Sequence, residues 1–94
     1  MTDKANIQLM LALYLKKAFN PKTSVNWEFL PTEYIETNKM IKLRLIKLAR
    51  YANSAYLTRL GRILVAGEII MRKQEIKKWM RLFFKKWKGE INVL

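Results

Sequence analysis

The residues of this sequence that could take part in chemistry are mainly its cations, and these are concentrated in one part of the chain. Residues 39–94 contain 15 of the 19 Lys and Arg residues and three of the seven acidic residues, so they carry the whole net charge of +12. Residues 1–38 contain four residues of each sign and are neutral. Clustered cations repel one another until an anion neutralises them, so this division favours a polyanionic partner.

Catalytic machinery is hard to assemble from these residue types. The chain has no His and no Cys, and so lacks the commonest metal ligand, a thiol nucleophile and the side chain that titrates near neutral pH. Ser24 and Ser54 have no histidine to activate them, and Glu33 and Glu36 have the spacing of ordinary surface acids. We therefore expect a protein that is not an enzyme and that needs no metal or other cofactor.

Composition and hydrophobic spacing predict the elements that must position the cations. The 94 residues are 51% hydrophobic with three Gly and two Pro, which predicts one folded domain over residues 1–94, neutral over 1–38 and basic over 39–94. Apolar periodicity predicts helices over about 3–19, 32–52, 55–66 and 68–88. The expected fold class is all-α, a compact bundle of about four helices with short connections.

The first predicted helix is apolar on nearly every side. Ile7 and Leu11 lie on one face, while Leu9 and Leu13 lie on the other. A helix of this kind must be enclosed by the rest of its own fold or by another chain. The pattern is consistent with a central core helix and equally with a homodimer contact through residues 5–19.

The second and last predicted helices each carry a basic side. In the second, Ile41, Leu45 and Leu48 have the spacing of a buried stripe, and the opposite side carries cations with no acid among them. In the last, a row of Lys and Arg faces an apolar seam made of Ile76, Trp79, Met80, Phe83, Phe84 and Trp87. We expect this seam to be core, because a short chain has little apolar surface to spare. A partner groove and a dimer seam are the alternatives.

Three further expectations concern the joints of the bundle. Trp27 is expected to fill the core edge, Gly61 to lie at a close-packed position, and Gly67 to end or kink the third helix. The helix, break and helix over residues 49–64 suggest a helix-turn-helix. However, the aliphatic anchors of that motif would fall on Arg59 and Arg62, so we expect a divergent helical hairpin instead.

The first functional hypothesis is a nucleic-acid-binding protein that contacts phosphates through its basic helix faces, with DNA slightly favoured over RNA. Tyr51 and Tyr56 are candidates for base stacking. The predicted nucleic-acid-binding residues are Lys39, Lys42, Arg44, Lys47, Arg50, Arg59, Arg62, Arg72, Lys73, Lys77, Lys78, Arg81, Lys85 and Lys88.

The alternative is a small regulatory protein, viral or phage-like in composition, that binds an acidic surface of a larger protein through its C-terminal basic and aromatic helix. The same helix suggests a third hypothesis, an anionic membrane surface. The longest uncharged, mostly apolar run covers residues 5–15, short of the ~20 residues that span a bilayer, so no transmembrane segment is expected. The expected location is the cytoplasm, or the virion and host cytoplasm for a viral protein.

Overall fold

The computed structural model describes residues 4–30 and 37–86, with side chains for all of these except residues 4, 5, 80 and 82–86. This part of the chain combines four α-helices with a three-stranded antiparallel sheet, so the predicted all-α bundle is wrong. The sheet has the strand order β1-β3-β2. In chain order the elements are α1 (Lys4–Leu15), β1 (Val25–Asn26), α2 (Thr37–Lys42), β2 (Ile46–Ala49), β3 (Ser54–Leu57), α3 (Arg59–Met71) and α4 (Lys73–Lys86), with short 3-10 turns at Pro21–Thr23 and Trp27–Phe29.

Helix α1 lies at the centre of the core and is buried on every side. The side chains of Ile7 and residues 9–13 are at most 1% exposed, and α3 and β3 pack against this helix. Of the two interpretations of the first helix, its burial within one chain supports the central core helix. The buried residues offer no surface for the homodimer contact expected through residues 5–19.

The end of α1 is tied to the sheet by the backbone. Lys17 adopts a left-handed conformation with φ 56°, which turns the chain out of the helix. The next carbonyl, that of Ala18, accepts a hydrogen bond from the Leu57 amide at 2.7 Å. Strand β3 is therefore fixed directly to the segment that follows α1.

The helix predicted over residues 32–52 is wrong for most of the part that the structure describes. Helix α2 ends at Lys42, Arg44 is left-handed with φ 61°, and β2 then pairs with β3 as a hairpin. In this hairpin Ile46 lies opposite Leu57, and both are completely buried. Ile46 lies outside the predicted helical stripe, whereas Leu48 of that stripe is 40% exposed on β2. Burial of strand residues in the core thus outweighs local helical spacing.

Helix α3 begins later than predicted, because β3 occupies the expected first turn. Thr58 caps α3, its Oγ1 accepting a hydrogen bond from the Gly61 amide at 3.0 Å. The helical hairpin expected over residues 49–64 is therefore a β-hairpin followed by a helix. Helix α3 continues through Gly67, so this glycine does not end it, and the break before α4 falls at Arg72.

Helix α4 contributes the described part of the predicted aromatic seam to the core. Ile76 is 4% exposed and Trp79 is 3% exposed, and α4 packs against α3. The core interpretation is confirmed for these two residues. The remaining members of the seam have side chains outside the described set: Met80, Phe83, Phe84 and Trp87.

The two glycines of α3 give a matched test of this packing. A Cβ at Gly61 would lie 2.1 Å from the Leu45 carbonyl oxygen, as expected for a close-packed position, whereas a Cβ at Gly67 would have nothing within 4 Å. We predict that Gly61→Ala lowers the free energy of unfolding by about 1–3 kcal/mol or more. Gly67→Ala should raise it by up to about 1 kcal/mol through helix propensity. Urea unfolding of dilute protein measures both, and equal stability of the two variants would contradict the packing.

Candidate nucleic-acid interface

The loop that joins β2 to β3 has an unusual backbone. Arg50, Tyr51 and Ala52 have φ values of 52°, 57° and 68°, so three successive residues are left-handed and none of them is glycine. Each such residue costs roughly 1–2 kcal/mol relative to a right-handed conformation. A loop of this kind persists only where its surroundings determine it, and strained backbone of this type is concentrated at functional sites.

Trp27 holds this loop in its left-handed conformation through two hydrogen bonds. Its indole Nε1 donates a hydrogen bond to the Ala52 carbonyl at 2.9 Å, and its backbone amide donates to the Asn53 carbonyl at 3.2 Å. The ring is half-buried and packs against the core, in line with the core-edge role predicted for it. Trp27, which packs against the core, thus holds the loop from one side.

The base of the loop is closed by a buried hydroxyl. Ser54 Oγ lies 2.9 Å from Ser24 Oγ and 3.2 Å from the Ala49 carbonyl oxygen, and Ser54 is buried. These contacts join the residue before β1 to the facing ends of β2 and β3. We call this hairpin braced, because contacts of Ser54 and Trp27 hold both the base and the side of its loop.

The hairpin exposes one aromatic ring and two cations to solvent. Tyr51 is fully exposed at 101%, Arg50 next to it in the loop is exposed, and Lys47 is exposed further along β2. Lys47 lies opposite the half-buried Tyr56 in the strand register. A flat exposed ring can stack on a nucleobase, while the neighbouring cations can pair with phosphates.

The cations predicted to share one helix face over residues 39–50 belong to two separate elements. Lys39 and Lys42 are exposed on α2, whereas Lys47 and Arg50 are exposed on the hairpin. Arg44 lies between them, exposed in its left-handed conformation. The single basic helix face is therefore wrong, and in its place the structure has a basic segment that runs from a short helix into a hairpin.

Two of the predicted arginines have partners within the chain. The Arg62 guanidinium carbon lies 4.0 Å from the centroid of the Phe19 ring, a cation–π contact that orients this exposed side chain. Arg72 Nε lies 2.7 Å from a Glu68 carboxylate oxygen, and its Nη1 lies 3.7 Å from Glu75. The charge of Arg72 is thus balanced inside the fold, so Arg72 has a structural role.

The remaining predicted cations lie mainly on α3 and α4. Arg59 is exposed at the start of α3, and Lys73 is exposed at the start of α4. Lys77, Lys78 and Arg81 line a shallow groove of about 270 Å³ with Gln74 and Glu75. The Lys85 side chain and the whole of Lys88 lie outside the described residues.

None of the helices in residues 4–30 and 37–86 combines the length and apolarity that crossing a membrane requires. Over the same residues, no group of His, Cys, Asp and Glu side chains is arranged to hold a metal ion. No protein-family model matches the chain, and neither the curated proteins nor the solved structures include a match to it. The geometry of the surface is therefore what bears on function.

The indole hydrogen bond provides a test of how the hairpin tip is held. We predict that Trp27→Phe, which keeps an aromatic ring but removes the Nε1 donor, lowers the free energy of unfolding by about 0.5–1.5 kcal/mol. Amide hydrogen exchange at residues 50–53 should become faster. The control is Tyr51→Phe, which changes a fully exposed side chain and should alter neither quantity. Unchanged exchange in Trp27→Phe would show that the loop is held in another way.

Proposed function

We propose that this protein binds nucleic acid without catalysing a reaction, and that the β2–β3 hairpin is the centre of its binding surface. The observation that carries the proposal is the hairpin itself, whose tip exposes Tyr51 and Arg50 and whose strand β2 exposes Lys47. An exposed large aromatic side chain on a strained, rigid loop has no packing role in its own fold. The ring suits apolar contact with base edges in a groove, and the cations of the hairpin suit pairing with the backbone phosphates.

The charge distribution supports the same proposal. Residues 39–86 contain two acidic residues, Glu68 and Glu75, and both contact Arg72. No acidic residue lies within ten positions of Lys47 or Arg50 in the sequence, so no local acid balances these two cations of the hairpin. A polyanion would relieve their repulsion and would release its own condensed counterions on binding.

Duplex DNA is the preferred ligand in this proposal, ahead of RNA. The major groove of B-DNA is about 12 Å wide and accepts a two-stranded β-ribbon. The major groove of an A-form RNA duplex is too narrow and deep for side chains to enter. A short hairpin with cations along it fits the first groove better than the second.

The main alternative, a protein partner bound by the basic and aromatic C-terminal helix, is less well supported. Such a partner needs aromatic anchors that are free to enter its groove. Trp79 is 3% exposed and Ile76 is 4% exposed, so these two seam residues already belong to the core. We further propose a cytoplasmic location, or the virion and host cytoplasm for a viral protein.

The proposal predicts a specific change in the salt dependence of binding. Affinity for a fluorescently labelled 20-base-pair duplex should fall steeply with added NaCl, and Arg50→Gln should weaken binding and reduce the log–log salt slope by about 1. The matched control is Lys17→Gln. It removes one exposed charge from the segment after α1, where Ala18 bonds to Leu57 at the end of β3 away from the hairpin tip.

Fluorescence anisotropy across a salt series measures both variants against the parent chain, with a 20-base-pair RNA duplex of the same sequence as a second ligand. Tighter binding to the RNA duplex than to the DNA duplex would overturn the preference for DNA. Identical slopes for Arg50→Gln and Lys17→Gln would remove the hairpin from the interface. No binding at low salt would overturn nucleic-acid binding altogether.

A further inference from the structure

The side of α3 that faces away from the core is apolar. Gly61 and Val65 are buried on the inner side, whereas four large apolar residues on the other side remain exposed. These four side chains form what we call the outer stripe of α3: Leu60 at 51% exposed, Ile63 at 60%, Ile70 at 80% and Met71 at 81%. One apolar side of α3 is thus packed in the core and a second apolar side faces water. The second side is a candidate surface for binding a partner.

The spacing of the stripe is that of a helix that pairs with another helix. Leu60, Ile63, Gly67 and Ile70 are separated by three, four and three residues, which is the alternating spacing of a coiled-coil seam. Side chains with this spacing lie along one line of the helix surface. They can pack between the side chains of a second helix.

Gly67 is the second observation that points to a close helix partner. A Cβ at this position would meet nothing within 4 Å in the chain's own fold, so intrachain packing does not require glycine here. Glycine within a helix is destabilising relative to alanine. Its place in the middle of the apolar stripe would allow the backbone of a second helix to come close.

An apolar groove opens beside the N-terminal half of the stripe. It has a volume of about 280 Å³ and is lined by Leu43, Leu45, Leu60, Ile63 and Leu64. Among the residues that the structure describes, no charged or polar side chain lines it, so an aliphatic side chain is the occupant that it suits.

We propose that the outer stripe of α3 is a homodimer interface, in which α3 packs antiparallel on α3 of a second copy about a two-fold axis near Gly67. This arrangement sets Ile63 of each copy opposite Ile70 of the other and brings Ile70 towards the groove. A two-fold contact uses the same patch on both chains, which suits a stripe with large residues at each end and glycine between them.

The size of the patch agrees with a dimer contact. The stripe together with Leu43 offers roughly 600 Å² of apolar surface, at the upper limit of the largest such patch on most monomers. A standard interface buries about 800 Å² on each partner, so the apolar patch and a polar rim would suffice.

Residue type favours a second copy over a lipid surface. Residues 58–72 contain no Trp, Tyr or Phe, the residues with which interfacial helices enter a membrane.

Self-association and nucleic-acid binding should respond to salt in opposite directions. Each copy carries +12, so two copies repel at long range and added salt screens that repulsion. The dimer does not depend on the proposed function and is tested without nucleic acid. A failure of one proposal is therefore distinguishable from a failure of the other.

The first experiment is sedimentation velocity of the full chain from about 5 to 200 μM in 0.15 and 0.5 M NaCl. We expect the mass to rise towards twice 11.2 kDa, at lower protein concentration in the higher salt. Ile70→Glu should weaken dimerisation at least tenfold with an unchanged far-UV circular dichroism spectrum. Tyr51→Glu, which places the same charge at an exposed residue off the stripe, should leave the dimer intact.

A cross-linking experiment tests the antiparallel arrangement, since the chain has no cysteine of its own. A mixture of Ile63→Cys and Ile70→Cys chains should form the mixed disulfide in preference to either self-disulfide. Preferred self-disulfides would overturn the antiparallel packing. A chain that stays monomeric at every concentration would overturn the dimer. If that monomer binds anionic vesicles and Ile70→Glu abolishes the binding, the outer stripe of α3 is a lipid-binding surface instead.

Discussion

The burial of α1 on every side is the constraint on which the rest of this structure depends. A helix with completely buried side chains over residues 9–13 cannot form a surface layer, so the remaining elements must enclose it. Helix α3 and strand β3 do so, and Ile76 and Trp79 of α4 complete the same core. An enclosing layer built from helices and one small sheet satisfies this requirement within a chain of 94 residues.

The enclosure also determines where the candidate interface lies. Strand β3 is tied to the end of α1 by the bond between Leu57 and Ala18, and Thr58 immediately after it bonds to the carbonyl of Leu45 and caps α3. These bonds fix the base of the hairpin in the core, and Trp27 fixes its tip. Arg50 and Tyr51 therefore project from a rigid support, which limits the conformational entropy that a ligand must remove on binding.

The sequence predicted the parts of the molecule that depend on composition and strong periodicity. The apolar character of α1 was consistent with a core helix and equally with a dimer contact, the amphipathic pattern of α4 identified Ile76 and Trp79 as core residues, and the charge division located the cations. It did not predict the hairpin, because Ile41, Leu45 and Leu48 have helical spacing across this segment and the loop lacks the Asn-Gly or Asp-Gly turn that is typical of a hairpin. The turn uses three left-handed residues, Arg50 to Ala52, whose conformational free-energy cost is offset in part by the hydrogen bond from Trp27. Trp27 is far away in the sequence, so no local pattern predicts this contact.

The central claim is that the braced hairpin is the surface that contacts nucleic acid. The most direct measurement is a two-dimensional amide NMR titration of the isotope-labelled chain with a short DNA duplex, at low and moderate salt. The account predicts that the largest shifts fall in residues 44–56, with the Arg50 side chain among them, and that they diminish as salt rises. Shifts concentrated on the outer stripe of α3, or none in the hairpin while the duplex binds, would contradict it.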